Sequence, residues 1–492
     1  MTLVAFLAVA GAGAAAWWVA GRWPRLRTVI GVLALVACVG LAAAVPRTGL
    51  IVFGDDALQP TAFLRLWLLS GSISALLLTL LAQILGRPAR VAPAALVMLA
   101  GTAAALSLTD AAGALLLIVA SATLVGVVAL SDRPGRPGPE LVSVLRLPIV
   151  VAVLALLGIG WATVGGLALQ PTTVLVAFAL VGAAFVIGTG TVPFHLPLAR
   201  QGEAVARPLL PLVLGWLPAA LALILIDWSG ARLVPLDPDL GLVRDAFLGL
   251  ALLTVGAATV AMLLQQDLGH VVAYAGLQGL AFGLLGYASV DPAAQAGARE
   301  ALLLLPLWLA ALAGVLLVLE TVRGDSQITT LTGWVRHAPV TAVALAVTVV
   351  VAIGLPGSAA FEARRSVADL ALGPALGTLA LLAVVASVAA WLRLAWEGLR
   401  PTGTVWGAAE RPDLATTGDA GPDRVRRLLG ANRIPLAAVL VLALAVLPLV
   451  ISLGLGHLDA AAAGPVPVAS VRPVPATPSP VPTITPLPAA TP

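Results

Sequence analysis

The sequence predicts an all-α polytopic membrane protein of about fourteen transmembrane helices, and two observations carry that prediction. Hydrophobic residues make up 60% of the 492 and charged residues only 10%, whereas an average soluble domain carries roughly 25% charged residues. Apolar segments of near-bilayer length also follow one another almost end to end, and a helix needs about 20 such residues to cross the hydrocarbon core. In that medium every backbone N–H and C=O must find its partner inside the segment, so such runs span as helices.

The spans read 2–20, 28–45, 62–86, 91–108, 111–130, 148–168, 172–192, 208–227, 246–264, 270–290, 300–319, 339–357, 371–395 and 434–456. The first has no basic residue before its apolar run, Arg22 being the earliest arginine, so it reads as a true span rather than a signal peptide. Leaving aside Arg364 and Arg365, which lie near a helix break, nineteen arginines fall in the odd-numbered loops and five in the even loops and tail. By the positive-inside rule the odd loops are cytoplasmic, both termini face outward, and the multi-pass chain belongs in the inner (cytoplasmic) membrane of a cell. Residues 1–460 are expected to form one bundle. Residues 461–492, rich in Pro, Ala and Thr, bury too little apolar surface to fold and are expected as a disordered tail. The longest loop, 397–433, reads either as a solvated positive-inside loop or as one ending in an amphipathic surface segment at Arg424–Arg433.

Composition excludes several function classes. The one cysteine, Cys38, lies inside the second span, so neither a disulfide framework nor a cysteine metal site exists. No metal and no cofactor are expected. The net charge of +4 is dispersed over loops rather than clustered, which argues against nucleic acid. No Gly-rich phosphate loop, paired carboxylates in a cleft setting or nucleophile triad is present. All 27 basic residues are arginine; a GC-rich genome is the bland cause.

Two spans end in Pro/Gly interruptions. One runs through Gly188, Thr189, Gly190, Thr191, Val192, Pro193, Phe194 and His195; the other through Gly354, Leu355, Pro356, Gly357, Ser358, Ala359, Ala360 and Phe361. Proline removes a helix hydrogen bond, and irregular backbone at membrane depth is tolerated only where protein or water covers it. Two interrupted helices five spans apart mark an inverted-repeat transporter; two unrelated kinks are the alternative. The expected repeats are two inverted five-helix units, spans four to eight and nine to thirteen, with helices 7 and 12 broken.

These motifs resemble those of a known family. The stretch 193–214 is similar to its Pro-Phe-His followed by an acidic/Gly loop and a Pro-initiated helix. Asp267-Leu268-Gly269-His270 with Ala273-Tyr274 is similar to its Asp-Leu-Lys-Arg-x-x-Ala-Tyr signature, and Gly354-Leu355-Pro356 with Phe361 to its Gly-Leu-Pro-x-x-x-x-Phe. Asp55 and Asp56 before Ala62-Phe63 match the start of its third helix. The family is that of the antiporter-like membrane subunits of respiratory complex I, shared with Mrp-type cation/proton antiporters and membrane-bound hydrogenases. The motifs cover residues 50–400 in order.

The resemblance implies a midplane relay of buried ionisable groups: Glu on the fifth helix, Lys on the seventh and eighth, His or Lys in the middle, and Lys or Glu on the twelfth. Here those positions fall on Ala120 or Ser121, Gly188, Pro218 and Gly279, and only the twelfth keeps a charge, Arg364, with Glu362 and Arg365 beside it. Genomic drift converts Lys to Arg, not to Gly or Pro, so drift alone does not explain the losses. Arginine stays protonated and cannot shuttle a proton.

The remaining ion-pathway candidates are His195, Asp267, His270 and Gln278. His195 is expected at a cytoplasmic helix break, where it either orients the loop or takes part in proton uptake. Asp267 and His270 are expected to cap a helix rather than conduct, and Gln278 to bind a neighbouring helix or a water. Glu362 with Arg364 or Arg365 reads either as an intramembrane charge cluster or as an interfacial ion pair. The resulting reading is a divergent, non-catalytic membrane subunit of a complex I-type, NADH:quinone oxidoreductase-like proton-translocating assembly of the respiratory chain. Its proton conduction is weak or lost, and its partners are membrane subunits of a complex I-like, hydrogenase-like or Mrp-like assembly. The alternative is a stand-alone or small-complex secondary transporter for another ion or solute.

Overall fold

The structure, a computed structural model, describes residues 1–53, 56–86, 90–131, 139–164, 170–233, 240–324, 326–401 and 423–454. The expectations for the tail 461–492, for most of the loop 397–433 and for Asp55 lie outside the described residues.

The first four spans are α1 (Thr2–Val19), α2 (Pro24–Ala44), α3 (Ala62–Ile84) and α4 (Val91–Ser107). Next come α5 (Ala111–Ser131), α6 (Pro139–Val164), and α7 (Pro171–Gly188) with its continuation α8 (His195–Ala204). The eighth span begins in a short turn at Arg207, passes a π-turn over Leu212–Trp216 and becomes α9 (Leu217–Arg232). Pro218 explains the π-turn: it has no N–H for the carbonyl four residues back. Then follow α10 (Gly241–Leu264), α11 (Leu268–Ser289), α12 (Pro292–Arg323), the single turn α13 (Trp334–His337) and α14 (Pro339–Ile353). The chain closes with α15 (Ala359–Ala386), α16 (Val388–Leu399) and α17 (Asp423–Gly454).

Twelve stretches among the described residues are long and apolar enough to cross a membrane; the shorter apolar helices α4 and α14 complete the fourteen expected spans. Local signals set the ends. Pro24, Pro171, Pro292 and Pro339 open helices where a missing N–H costs nothing. The side chains of Thr61, Asp267, Asp291 and Ser358 accept first-turn N–H groups. The thirteenth span, expected at 371–395, is carried by α15 and α16 together. Gly373 (φ 77°) before Pro374 divides it from the helix that leaves the second break.

Three elements form the centre. Residues Arg207–Arg232, Leu268–Ser289 and Pro292–Val322 are 94%, 89% and 100% buried over their most apolar windows, against 28–61% elsewhere. The peripheral helices turn large apolar side chains outward, among them Leu33, Leu124, Leu157, Leu253, Leu382 and Val450. An outer face of this kind suits hydrocarbon and not water.

Loops at the two ends alternate as an even number of crossings requires. A small hairpin, β1 (Ile51–Phe53) with β2 (Asp56–Leu58), joins the loop after α4: Thr109 N donates to Ala57 O at 3.0 Å and Gln59 N to Ser107 O at 2.6 Å. At the opposite end, Leu268 N donates to Ser326 O at 3.1 Å and Ile328 N to Gln266 O at 2.9 Å.

The central helix α12 carries its own scale. Arg299 pairs with Asp227 of α9 at 2.6 Å near one end, and Glu320 pairs with Arg207 at 2.5 Å near the other. The two positions are 21 residues apart in the sequence, about 31 Å at 1.5 Å per residue. That matches the hydrocarbon core, about 30 Å thick, so the two ion pairs bracket it.

Candidate functional site

At the first break α7 ends at Gly188, and Gly190 turns the chain with φ 68°. A residue in that left-handed region lets a helix stop while its last carbonyls find donors, and glycine adopts it at least cost. The donors here are neutral. Thr189 N and Oγ1 reach Phe185 O at 2.9 and 2.8 Å, and Thr191 N reaches Val186 O at 2.9 Å. The Thr189 and Thr191 hydroxyls lie 3.0 Å apart, and Val192 N donates to Thr254 Oγ1 of α10 at 3.1 Å. Pro193 and Phe194 follow, both exposed, and His195 opens α8. The His195 ring lies 6.2 Å from that of Tyr274, and its Nδ1 is buried without a partner.

The second break repeats the geometry with different donors. Helix α14 ends at Ile353 and Gly354 takes φ 77°; a Cβ there would meet Phe361 N at 2.7 Å, so only glycine fits. Leu355 and Pro356 are exposed, Gly357 takes φ 86°, and Ser358 caps α15. One turn into α15, Arg364 reaches back, 4% exposed, and donates to Ala352 O and, at 2.8 Å, to Ile353 O. A guanidinium suits this position: one terminal nitrogen serves both carbonyls, and its charge sits at the negative end of the α14 dipole.

Glu362, Arg364 and Arg365 do not gather into one cluster. Glu362 is exposed and accepts from Gly357 N at 3.4 Å, while Arg365 is exposed and pairs with Asp369 at 3.4 Å. Neighbours on a helix point in different directions, and only Arg364 faces inward.

Four of the positions singled out in the sequence, Gly188, Pro218, Gly279 and Arg364, line two cavities. Gly188 and Pro218 border one of about 110 Å³, with Ile118, Val151, Leu217 and Leu221 making its wall apolar. Ser121, on the fifth span, is buried and donates to Leu117 O at 2.8 Å. Gly279 and Arg364 border the second, about 20 Å³, together with Gln278, Phe282, Trp308 and Ser387. Gln278 is held between helices: its Nε2 donates to Thr259 Oγ1 of α10 at 2.7 Å, and its Oε1 accepts from Ser387 Oγ at 3.4 Å. Trp308 Nε1 is buried with no acceptor. Trp308 lies between the two ion pairs on α12, about 13 Å from Arg299 along the helix and about 18 Å from Glu320, so this cavity is close to the midplane.

A network at the odd-loop end ties the first break to the centre. Beyond its bond to Glu320, Arg207 donates to Gly202 O of α8 at 2.6 Å and lies 3.9 Å from Asp267. Asp267 accepts from Gly269 N at 2.8 Å, His270 N at 3.3 Å and the Ser326 hydroxyl. His270 sits 3.7 Å from Asp267 and 3.9 Å from Glu203. Asp267 thus caps α11 and also receives charge from Arg207, a residue that motif reading passes over, as it does Glu320, Asp227 and Arg299. The available signal was a charge lying within an apolar run: Asp227 and Glu320 stand at the ends of long apolar stretches. Arg393 repeats the use made of Arg364, donating to Leu263 O at 2.8 Å and to Gln265 O at the end of α10. No group of three or more metal-ligating side chains occurs among the described residues.

No family profile matches this sequence, and no curated protein matches it. Solved structures match its fold throughout. A chain of the Mrp complex from Dietzia sp. DQ12-45-1b is 20% identical with a TM-score of 0.70, over 93% of this chain and 96% of that one. A chain of respiratory complex I from Thermus thermophilus is 19% identical with a TM-score of 0.69, over 93% and 100%. A chain of the membrane-bound sulfane sulfur reductase, an archaeal respiratory membrane complex, is 14% identical with a TM-score of 0.69, over 94% and 99%. The fold is that of the antiporter-like membrane subunits.

Proposed function

We propose that this chain is an antiporter-like membrane subunit of a complex I-type or Mrp-type assembly, acting mainly as a scaffold with proton conduction weak or lost. The observation that carries the reading is the end-to-end fold match, at 93–94% of this chain and 96–100% of chains from three such complexes. The loss of conduction is supported by what stands at the relay positions: Gly188 and Pro218 on an apolar cavity, and Gly279 beside the one retained charge, Arg364. None of these exchanges a proton at neutral pH. On this reading the two broken helices belong to inverted five-helix repeats, the termini face outward across an inner membrane, and partner subunits perform any electron transfer.

The first test is gentle extraction of the tagged protein, with mass spectrometry of what co-migrates on a native gel. Co-migrating quinone-oxidoreductase, hydrogenase or antiporter subunits are expected; migration alone overturns the scaffold reading. Proton flux in proteoliposomes tests conduction, and a gradient-driven flux well above empty vesicles overturns its loss.

The second reading, a secondary transporter for another ion or solute, is favoured by one observation: the charge of Arg364 at the second break borders a cavity that Gln278, Ser387 and Trp308 also line. On that reading, substitutions at Gly354 or Arg364 abolish uptake while any assembly stays intact.

A further inference from the structure

We infer that the small cavity beside the second break binds a single monatomic anion, of which chloride is the abundant example, as the counter-ion of Arg364. The guanidinium is 4% exposed, and no carboxylate pairs with it among the described residues. Its partners are the Ala352 and Ile353 carbonyls and, 5.9 Å away, the Phe282 ring. A helix C-terminus offers only about half a negative charge. A fixed cation at mid-bilayer depth, unpaired, is among the costliest arrangements a membrane protein can hold.

The cavity wall is complementary to that charge deficit. Trp308, 3% exposed, presents an indole N–H that has no acceptor. Arg364 and the Ser387 hydroxyl border the same space, and no Asp or Glu does. At about 20 Å³ the cavity holds one small species, since one water needs roughly 10–15 Å³. Water there accepts from Trp308 and Arg364 and donates into the second lone pairs of the Ala352, Ile353 or Gln278 carbonyls, but it leaves the charge of Arg364 uncompensated. A monatomic anion accepts from every side and donates nothing. Bulkier oxyanions exceed the space. The inference rests on this cavity alone and stands independently of the proposed assembly.

The experiment is thermal unfolding of the purified full-length protein in detergent, with sodium chloride exchanged for sodium gluconate at constant ionic strength. A saturable rise of the midpoint with chloride is expected, with bromide equivalent and gluconate, too large to enter, without effect. Trp308→Phe keeps the aromatic bulk and removes the donor. It should weaken half-saturation about tenfold, the loss of one hydrogen bond to a charged partner; the buried volume it loses lowers the midpoint in chloride and gluconate alike, so half-saturation and not the midpoint is the readout. Equal midpoints in chloride and gluconate mean that the cavity holds water only and overturn the proposal. An unchanged half-saturation in Trp308→Phe places the ion elsewhere and overturns it equally. Arg364→Gln should abolish the chloride response; if that variant does not fold, Trp308→Phe still decides.

Discussion

At the end of α7 the carbonyls freed by the break are taken up by the Thr189 hydroxyl and backbone N–H groups; at the end of α14 a buried guanidinium takes them. Both breaks use a glycine at positive φ to leave the helix, Gly190 and Gly354. The first then fastens its continuation from outside the hydrocarbon core, where Arg207 binds Gly202 O and Glu320. The second fastens its own from within. The cavities beside them differ accordingly, apolar and larger at the first, small and bordered by donors at the second. The same backbone interruption therefore does not dictate the same electrostatics. What differs is whether a charged side chain stands beside the break, as Arg364 does at the second and none does at the first.

That contrast can be broken most severely at Arg364. Arg364→Gln removes charge-assisted bonds to two buried carbonyls, and the expected loss is about 4 kcal/mol, read as a large fall in the thermal-unfolding midpoint in detergent. Arg364→Lys should recover part of it, because the ammonium keeps the charge but sits on a shorter stem than the guanidinium nitrogen that reaches both carbonyls. An unaffected midpoint in Arg364→Gln would mean that the second break is held as neutrally as the first.

The glycines sharpen the comparison. Both Gly354→Ala and Gly190→Ala force an alanine into the left-handed region. The new Cβ at 354 meets Phe361 N at 2.7 Å, whereas at 190 it meets the Leu198 and Leu277 side chains at 3.0–3.1 Å. Backbone cannot yield as side chains can, so about 3 kcal/mol is expected at 354 and about half that at 190. Equal losses would show that space plays no part.

Arg207→Ala comes next. It strands Glu320 and weakens the hold on α8, but these groups are partly open to solvent. The expected loss is about 2 kcal/mol, accompanied by faster proteolysis near residues 195–206; protection equal to that of the unsubstituted protein would argue against a fastening role. The smallest effect belongs to Thr189→Val, about 1 kcal/mol for one neutral hydrogen bond, measured as a slight fall in the same midpoint. A loss as large as that of Arg364→Gln would erase the distinction between the breaks.

Much of this architecture was legible in the residues. Apolar run length located the spans, because hydrocarbon thickness fixes how many residues a helix needs. Pro193, Gly354 and Pro356 marked the breaks, because proline and positive-φ glycine act locally. The helical piece Ala359–Leu372 between the second break and Gly373 was not separated in advance: a polar turn of helix at membrane depth looks like a loop until its partners are known. Gln278 was expected to bind a neighbouring helix, but its partners Thr259 and Ser387 lie 19 and 109 residues away in the sequence. No local pattern links them. The grouping of Glu362 with Arg364 failed for the opposite reason: nearness along the chain is not nearness around a helix.

By itself, then, the sequence determined the solvent, the number of crossings and the places where helices must stop. These follow from run length, backbone chemistry and residue type, which are properties of short segments. Only the tertiary structure decided which arginine faces inward, that Gly188 and Pro218 share one cavity while Gly279 and Arg364 share another, and that Trp308 leaves a donor unsatisfied at the midplane. Those facts depend on how helices far apart in the chain rotate and pack against α12, and no stretch of residues encodes that rotation alone.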